Sequence, residues 1–177
     1  FTGSTEVARL LQRNVAGRLD NQGRPIPLIA ETGGQNAMIV DSSALTEQVV
    51  IDVVSSAFDS AGQRCSALRV LCLQEDSADR VIEMLKGAMA ESRMGNPERL
   101  NVDIGPVIDA EAKAGIEQHI QGMRDKGRTV YQMAIADIEE CKRGTFVMPT
   151  LIELESFDEL EREIFGPVLH VVRYKRK

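Results

Sequence analysis

Two hydrophobic periods alternate along the chain. After Ser4, residues 5–19 repeat apolar positions at Val7, Leu10, Leu11 and Val15, a helical spacing that follows a capping serine. "NQGRP" (21–25) is a turn, and "IPLIAE" and "NAMIV" are short apolar runs that predict strands on either side of Thr32-Gly33-Gly34. Residues 44–62 predict a helix with Val49, Val50, Val53, Val54 and Phe58 on one face. "SALRVLCLQ" (66–74) predicts a strand, and residues 76–94 an amphipathic helix with Val81, Met84, Leu85 and Met89 inward. A long loop over 95–109 leads to a helix over 109–126. Strands follow near 128–134 and 145–153, and a last one over 168–174.

Strands alternating with helices predict an α/β fold with a mainly parallel, open sheet. No internal repeat or low-complexity segment interrupts the order. The acidic run "ELESFDELERE" (153–163) predicts a solvated loop or short helix.

Composition narrows the classes. The 177 residues suffice for a medium domain with a real core, at 43% apolar and 27% charged. The net charge of −6 argues against a basic nucleic-acid surface on this segment. No apolar run is long enough to span a membrane, and no signal-peptide pattern opens the chain. Cys65, Cys72 and Cys141 form neither an even disulfide set nor a metal-ligand spacing, which favours a reducing, cytoplasmic setting. His119 and His170 belong to no zinc motif. The opening "FTGS" and the closing strand pattern "VLHVVRYKRK" read as cuts through a larger protein, so this segment is expected to be a fragment of a longer parent chain.

Four stretches carry candidate chemistry. Cys65 lies in "DSAGQRCSALRVL", where a helix pattern gives way to a strand pattern. Taken by itself it is either a small packing residue or a nucleophile whose thiol pKa is lowered by charge or dipoles. Glu31 ends an apolar run just before Gly33-Gly34, as either a paired carboxylate or a general base. Gly3 and Ser4 precede a helix start, where backbone N–H groups meet phosphate. In "EREIFGPVLHVV", Glu163 could accept ribose hydroxyls and Phe165 could wall an aromatic ring. Cys72 and Cys141 read as packing residues.

In order, "FTGST", "AETGGQNAMIV", "GQRCSA" and "EIFGPVL", with Glu31 and Cys65 34 residues apart, resemble the aldehyde dehydrogenase superfamily over essentially the whole chain. Within it, "AGRLDNQGRPIPLIAETGGQNAMIVDSSALTEQVV" is similar to the pyrroline-5-carboxylate dehydrogenase half of the bifunctional proline utilization A enzymes. Thr32 and Gln35 replace the leucine and lysine common elsewhere in the superfamily, and Asp41-Ser42-Ser43 points the same way.

The resemblance implies a division into residues 1–30, the tail of an NAD-binding Rossmann domain, and 31–177, a truncated thiol-bearing catalytic domain. It implies that Cys65 attacks an aldehyde to give a thiohemiacetal, with its own backbone N–H as one oxyanion donor. Hydride then passes to NAD, and Glu31 activates water to hydrolyse the thioester. Gly3 and Ser4 would meet the pyrophosphate, Glu163 the nicotinamide ribose, and Phe165 the nicotinamide end. The implied substrate is glutamate semialdehyde, in equilibrium with pyrroline-5-carboxylate, and the product is glutamate. FAD would belong only to an upstream proline dehydrogenase domain. The implied partners are the aldehyde, NAD and the rest of a homo-oligomeric parent chain, with no nucleic-acid or membrane contact from this segment and no metal. An aldehyde dehydrogenase of other substrate specificity, a thiol hydrolase with a histidine base and a non-catalytic structural domain are the competing expectations. The isolated fragment is expected to have little or no activity.

Overall fold

Ser4 is extended, and its side chain accepts a hydrogen bond from the Val7 N–H, so α1 (Thr5–Ala16) begins where the sequence predicts. The computed structural model describes residues 1–134 and 139–176. It divides into two compact units, Phe1–Gly34 and Gln35–Lys177.

In the first unit the apolar stripe of α1 is only partly covered: Ala8 is buried, whereas Val7 and Leu10 are exposed. The strand expected over 26–31 does not form. Glu31 makes a single parallel bridge with Thr2, and Pro25 an antiparallel one with Leu19. Pro25 and Pro27 have no N–H to give a ladder. The turn between them and α1 is held by Asp20, whose Oδ1 accepts from the Gln22 and Arg24 N–H groups.

The second unit is mixed α/β with a mainly parallel sheet. Its order is β1 (Ala37–Val40), β2 (Val70–Gln74), β5 (Val168–Tyr174), β4 (Thr150–Leu154) and β3 (Thr129–Gln132). The first three pairings are parallel, with Ala37 opposite Val70, Val70 opposite His170, and Ile152 opposite His170. Among the described residues only β3 runs antiparallel, against β4. Val70, Leu71, Leu73, Val168, Leu169 and Val171 are all buried, the continuous apolar run of strands covered on both faces.

Helices α2 (Thr46–Phe58) and α3 (Glu75–Glu91) pack together, burying Val49, Val50, Val53, Phe58, Val81, Leu85 and Met89. Val54 and Met84 are only partly buried at the edge of that face. Helix α4 (Ala110–Asp125), capped by the Asp109 side chain, lies against β3 and β4.

Several boundaries differ from expectation. The helix predicted over 44–62 stops at Phe58, and Asp59–Gly62 form a tight 3-10 turn with left-handed residues. The strand predicted from Ser66 starts at Val70, because the backbone before it is committed to the turn around Cys65. The strand expected from 145 starts at Thr150, after a short helix α5 (Glu139–Arg143) that carries Cys141. The acidic run contains one 3-10 turn, Phe157–Glu159, closed by a capping box between Ser156 and Glu159. Of the strand predicted over 128–134, Thr129–Gln132 is paired.

Candidate active site

The turn that presents Cys65 is unusual backbone. Ser60, Ala61 and Gly62 all have positive φ, at 56°, 53° and 66°. Such a run is unfavourable for residues with a Cβ and persists only where neighbours fix it. At Gly62 a side chain is excluded outright, since a Cβ would overlap the Gly166 carbonyl oxygen and come within 2.9 Å of the Ala57 carbonyl oxygen. The turn is therefore packed directly on the backbone of the 163–167 segment.

Three polar side chains pin this turn. Gln63 donates from Nε2 to the Ser60 and Pro106 carbonyls, at 3.2 Å each, and its Oε1 accepts from the Ile108 N–H at 2.8 Å. Asn36 donates from Nδ2 to the Cys65 carbonyl at 2.6 Å and to the Ala67 carbonyl at 2.9 Å. Its own carbonyl accepts from the Arg69 and Val70 N–H groups, which ties the start of β1 to the start of β2. Arg69, fully buried, donates from Nη2 to the Arg64 carbonyl at 3.2 Å. Held this way, Cys65 is a free thiol at an exposed position, while Cys72 on β2 is partly buried and Cys141 is buried. Burial pushes the Cys72 thiol up, away from the thiolate.

Arg69 also reaches the other predicted site segment. Its Nε and Nη2 both lie 3.0 Å from Glu163 Oε1, its Nη1 donates to the Gly166 carbonyl at 3.2 Å, and its guanidinium carbon stands 5.2 Å from the Phe165 ring centroid. Burial lowers the guanidinium's pKa and the Glu163 charge opposes that shift. Gln35 adds a second clamp, donating from Nε2 to the Arg162 carbonyl at 2.8 Å. Glu163 is half-buried and Phe165 is 44% exposed, so a carboxylate and an aromatic face stand together at the surface.

In the first unit the structure brings Gly3 and Glu31 together. The Gly3 N–H donates to the Glu31 carbonyl at 3.1 Å, and the Glu31 N–H to the Phe1 carbonyl at 2.8 Å. The Gly3 N–H expected at a pyrophosphate is thus engaged by backbone, and Ser4 spends its side chain on the cap of α1. Both residues and the Glu31 carboxylate lie at exposed positions.

Neither histidine is placed to serve a thiol. His170, buried in β5, sits with Nδ1 3.3 Å from the Arg69 carbonyl and Nε2 2.8 Å from His119 Nε2. A carbonyl can only accept, so Nδ1 of His170 carries its proton and His119 donates from Nε2. Both ring nitrogens of His170 are occupied in this way. Among the described residues no cluster of histidine, cysteine, aspartate and glutamate could hold a metal, and no helix is long and apolar enough to cross a membrane.

Asn36, Arg69 and the full role of Gln63 were not assigned from the sequence. One signal was available: an arginine at the mouth of the apolar run "ALRVLCL" is a buried charge that needs a partner.

An exposed cysteine thus sits on a strained, pinned turn, joined through one arginine to a carboxylate and an aromatic ring. The chain belongs to the aldehyde dehydrogenase family, whose profile matches residues 1–177. Among characterised proteins it is 76% identical over 179 residues to the bifunctional protein PutA of Klebsiella aerogenes and 62% identical over 177 residues to that of Rhizobium meliloti. Each match covers 99% of this chain and 14% of the relative, so the chain spans about a seventh of those proteins. Among solved structures, a proline utilization A variant from Bradyrhizobium japonicum superposes with a TM-score of 0.89 at 50% identity, over 99% of this chain and 17% of that one. A betaine aldehyde dehydrogenase from Staphylococcus aureus, solved in complex with NAD+, superposes at 0.87 with 27% identity, over 99% and 34%.

Proposed function

We propose that this chain is the thiol-bearing part of an NAD-dependent dehydrogenase that oxidises glutamate semialdehyde, the open form of pyrroline-5-carboxylate, to glutamate. The observation that carries this reading is the exposed Cys65 on a turn fixed by Asn36, Gln63 and Arg69, with Glu163 and Phe165 held by that same arginine. The relatives' name, a bifunctional proline utilization protein, supports the choice of substrate; an upstream FAD-dependent proline dehydrogenase domain in the parent chain is what the sequence resemblance implies.

The surface fits the nucleotide. A carboxylate fixed through one oxygen, beside a half-exposed aromatic ring, suits a ribose and its attached aromatic base. Glu163 would hold the nicotinamide ribose, Phe165 would flank the nicotinamide end, and Gly3 and Ser4 would lie toward the pyrophosphate. NAD, when bound, supplies the acceptor for the aldehyde hydride.

The protein's own residues do the remaining work. Cys65 as thiolate attacks the aldehyde carbon, and its backbone N–H stabilises the oxyanion of the thiohemiacetal. Once the thiohemiacetal carbon is oxidised to a thioester, Glu31 takes a proton from water, which attacks the acyl carbon and releases Cys65. Residues 1–30 would close the nucleotide domain and 31–177 form most of the catalytic one, within a cytoplasmic homo-oligomer. Alone, the fragment is expected to turn over little or no aldehyde.

The test is NADH formation by the full-length protein, with pyrroline-5-carboxylate against simple aliphatic aldehydes, alongside Cys65→Ala. Preference for pyrroline-5-carboxylate that disappears in Cys65→Ala supports the reading. Activity untouched by the substitution overturns the mechanism, and Cys65-dependent activity on other aldehydes alone overturns the substrate.

A further inference from the structure

Among the described residues Arg69 is the one charged side chain whose residue is fully buried. Burying an ion is costly, and an apolar side chain of similar size often stabilises a core as well or better. Its contacts show what the charge does there instead. Among the described residues the guanidinium reaches the Arg64 carbonyl, one residue before Cys65, and the segment 163–166, through the Glu163 carboxylate, the Gly166 carbonyl and the Phe165 ring. The same segment meets the turn of Cys65 a second time, where Gly62 leaves no room for a Cβ beneath the Gly166 carbonyl. A planar fork of five donors can serve these acceptors at once, whereas a lysine ammonium cannot span them.

We propose that Arg69 is a positioning residue that locks the carboxylate of Glu163 and the ring of Phe165 into one fixed relation with the Cys65 turn, so that nucleotide binding at 163–165 and the reactivity of the thiol are coupled. This rests on the function proposed above. A nucleotide that engages Glu163 pulls on Arg69, and Arg69 passes that load to the Arg64 carbonyl and so to the backbone that presents the thiol. Loss of the fork leaves Glu163 and Phe165 unheld, without touching the aldehyde side of Cys65.

The experiment uses the full-length protein and Arg69→Lys. The KM for NAD is expected to rise about tenfold or more, the size of losing a hydrogen bond to a charged group. The KM for pyrroline-5-carboxylate is expected to stay within about twofold, and the change that NAD causes in the rate of Cys65 alkylation by iodoacetamide is expected to vanish. A merely structural role would lower the fraction of active enzyme, and hence kcat, with the NAD KM unchanged; that result overturns the assignment. In a cycle with Glu163→Gln, the two substitutions are expected to be strongly non-additive in NAD KM, and additive effects count against action through Glu163.

If Arg69→Lys fails to fold, Arg69→Gln combined with Glu163→Gln removes both charges together and is read by alkylation. An NAD response like that of the wild type in the double variant overturns the proposal, as does wild-type alkylation that ignores NAD. A wild type without NAD-dependent turnover defeats the proposed function itself, whereas a working wild type beside an Arg69→Lys variant of normal NAD KM defeats only the role of Arg69.

Discussion

The side-chain amide of Asn36 donates to the carbonyl of Cys65 at 2.6 Å, so the residue just before the first strand of the sheet fixes the backbone of the candidate nucleophile. A second bond from the same nitrogen, to the Ala67 carbonyl, closes the grip from the far side of the turn. Asn36→Asp is nearly the same size but turns the donor into an acceptor facing two carbonyls. It is expected to destabilise the full-length protein by about 1–3 kcal/mol and to lower kcat, with the aldehyde still bound. Urea denaturation and steady-state kinetics check both parts. An unchanged kcat would show that the turn holds its shape without this side chain.

Gly62 and Gly127 both have positive φ, at 66° and 77°, but only Gly62 has atoms where a Cβ would go. Gly127→Ala is expected to cost about 1–2 kcal/mol, the left-handed penalty alone. Gly62→Ala adds a clash with the Gly166 and Ala57 carbonyls and is expected to cost clearly more, about 3 kcal/mol or above, together with most of the activity. Comparing the denaturation midpoints of the two variants isolates the clash from the backbone preference.

Gln35 holds the Arg162 carbonyl, next to Glu163, without reaching the thiol's own turn. Gln35→Ala is expected to raise the NAD KM about threefold to tenfold, in line with loss of one hydrogen bond of roughly 1 kcal/mol, and to leave iodoacetamide alkylation of Cys65 without NAD unchanged. Initial rates against NAD concentration decide it; a large change in basal alkylation would mean the clamp extends further than its one bond.

The His119–His170 pair makes stability depend on pH in a defined direction. Burial, with the charges of Arg162 and Lys126 nearby, pushes His119 from its usual 6.5 down to about 4. Burial, then the neighbouring His119 and Arg69, pushes His170 down to about 3, with the Arg69 carbonyl and Glu159 pulling the other way. Between pH 6.5 and these values the unfolded chain binds protons that the folded chain refuses. Stability is therefore full above about pH 6.5 and falls as pH is lowered, by up to about 1.4 kcal/mol per pH unit for each proton. Unfolding free energies measured from pH 7 to pH 4 should show this slope, and His119→Gln with His170→Gln should flatten it. A slope equal to wild type in that double variant would assign it to the carboxylates.

Much of this was legible along the chain. The helical repeats of α2 and α3 and the serine before α1 act through neighbours three or four residues away, which a sequence displays directly. The run "IPLIAE" was apolar enough to suggest a strand, yet Pro27 within it and Pro25 just before it have no N–H to donate, and no ladder formed beyond the bridge at Glu31. The end of α2 was misjudged for a related reason. The apolar pattern runs up to residues 59–62, but Ser60, Ala61 and Gly62 take left-handed backbone there, and at Gly62 the carbonyl of Gly166, more than a hundred residues away, leaves no room for a side chain.

The sequence by itself determined the class of fold, the identities of Cys65, Glu31, Glu163 and Phe165 as candidates, and the family, because these depend on local period and on motifs read in order. Only the tertiary structure decided that Asn36, Gln63 and Arg69 fix the cysteine's turn, and that His119 and His170 bond to each other. Hydrogen bonds of a few ångströms join residues 29, 43, 51 and 94 positions apart. Parallel strands create such meetings by bringing distant segments side by side, and nothing in the linear spacing of these residues encodes the register that does so.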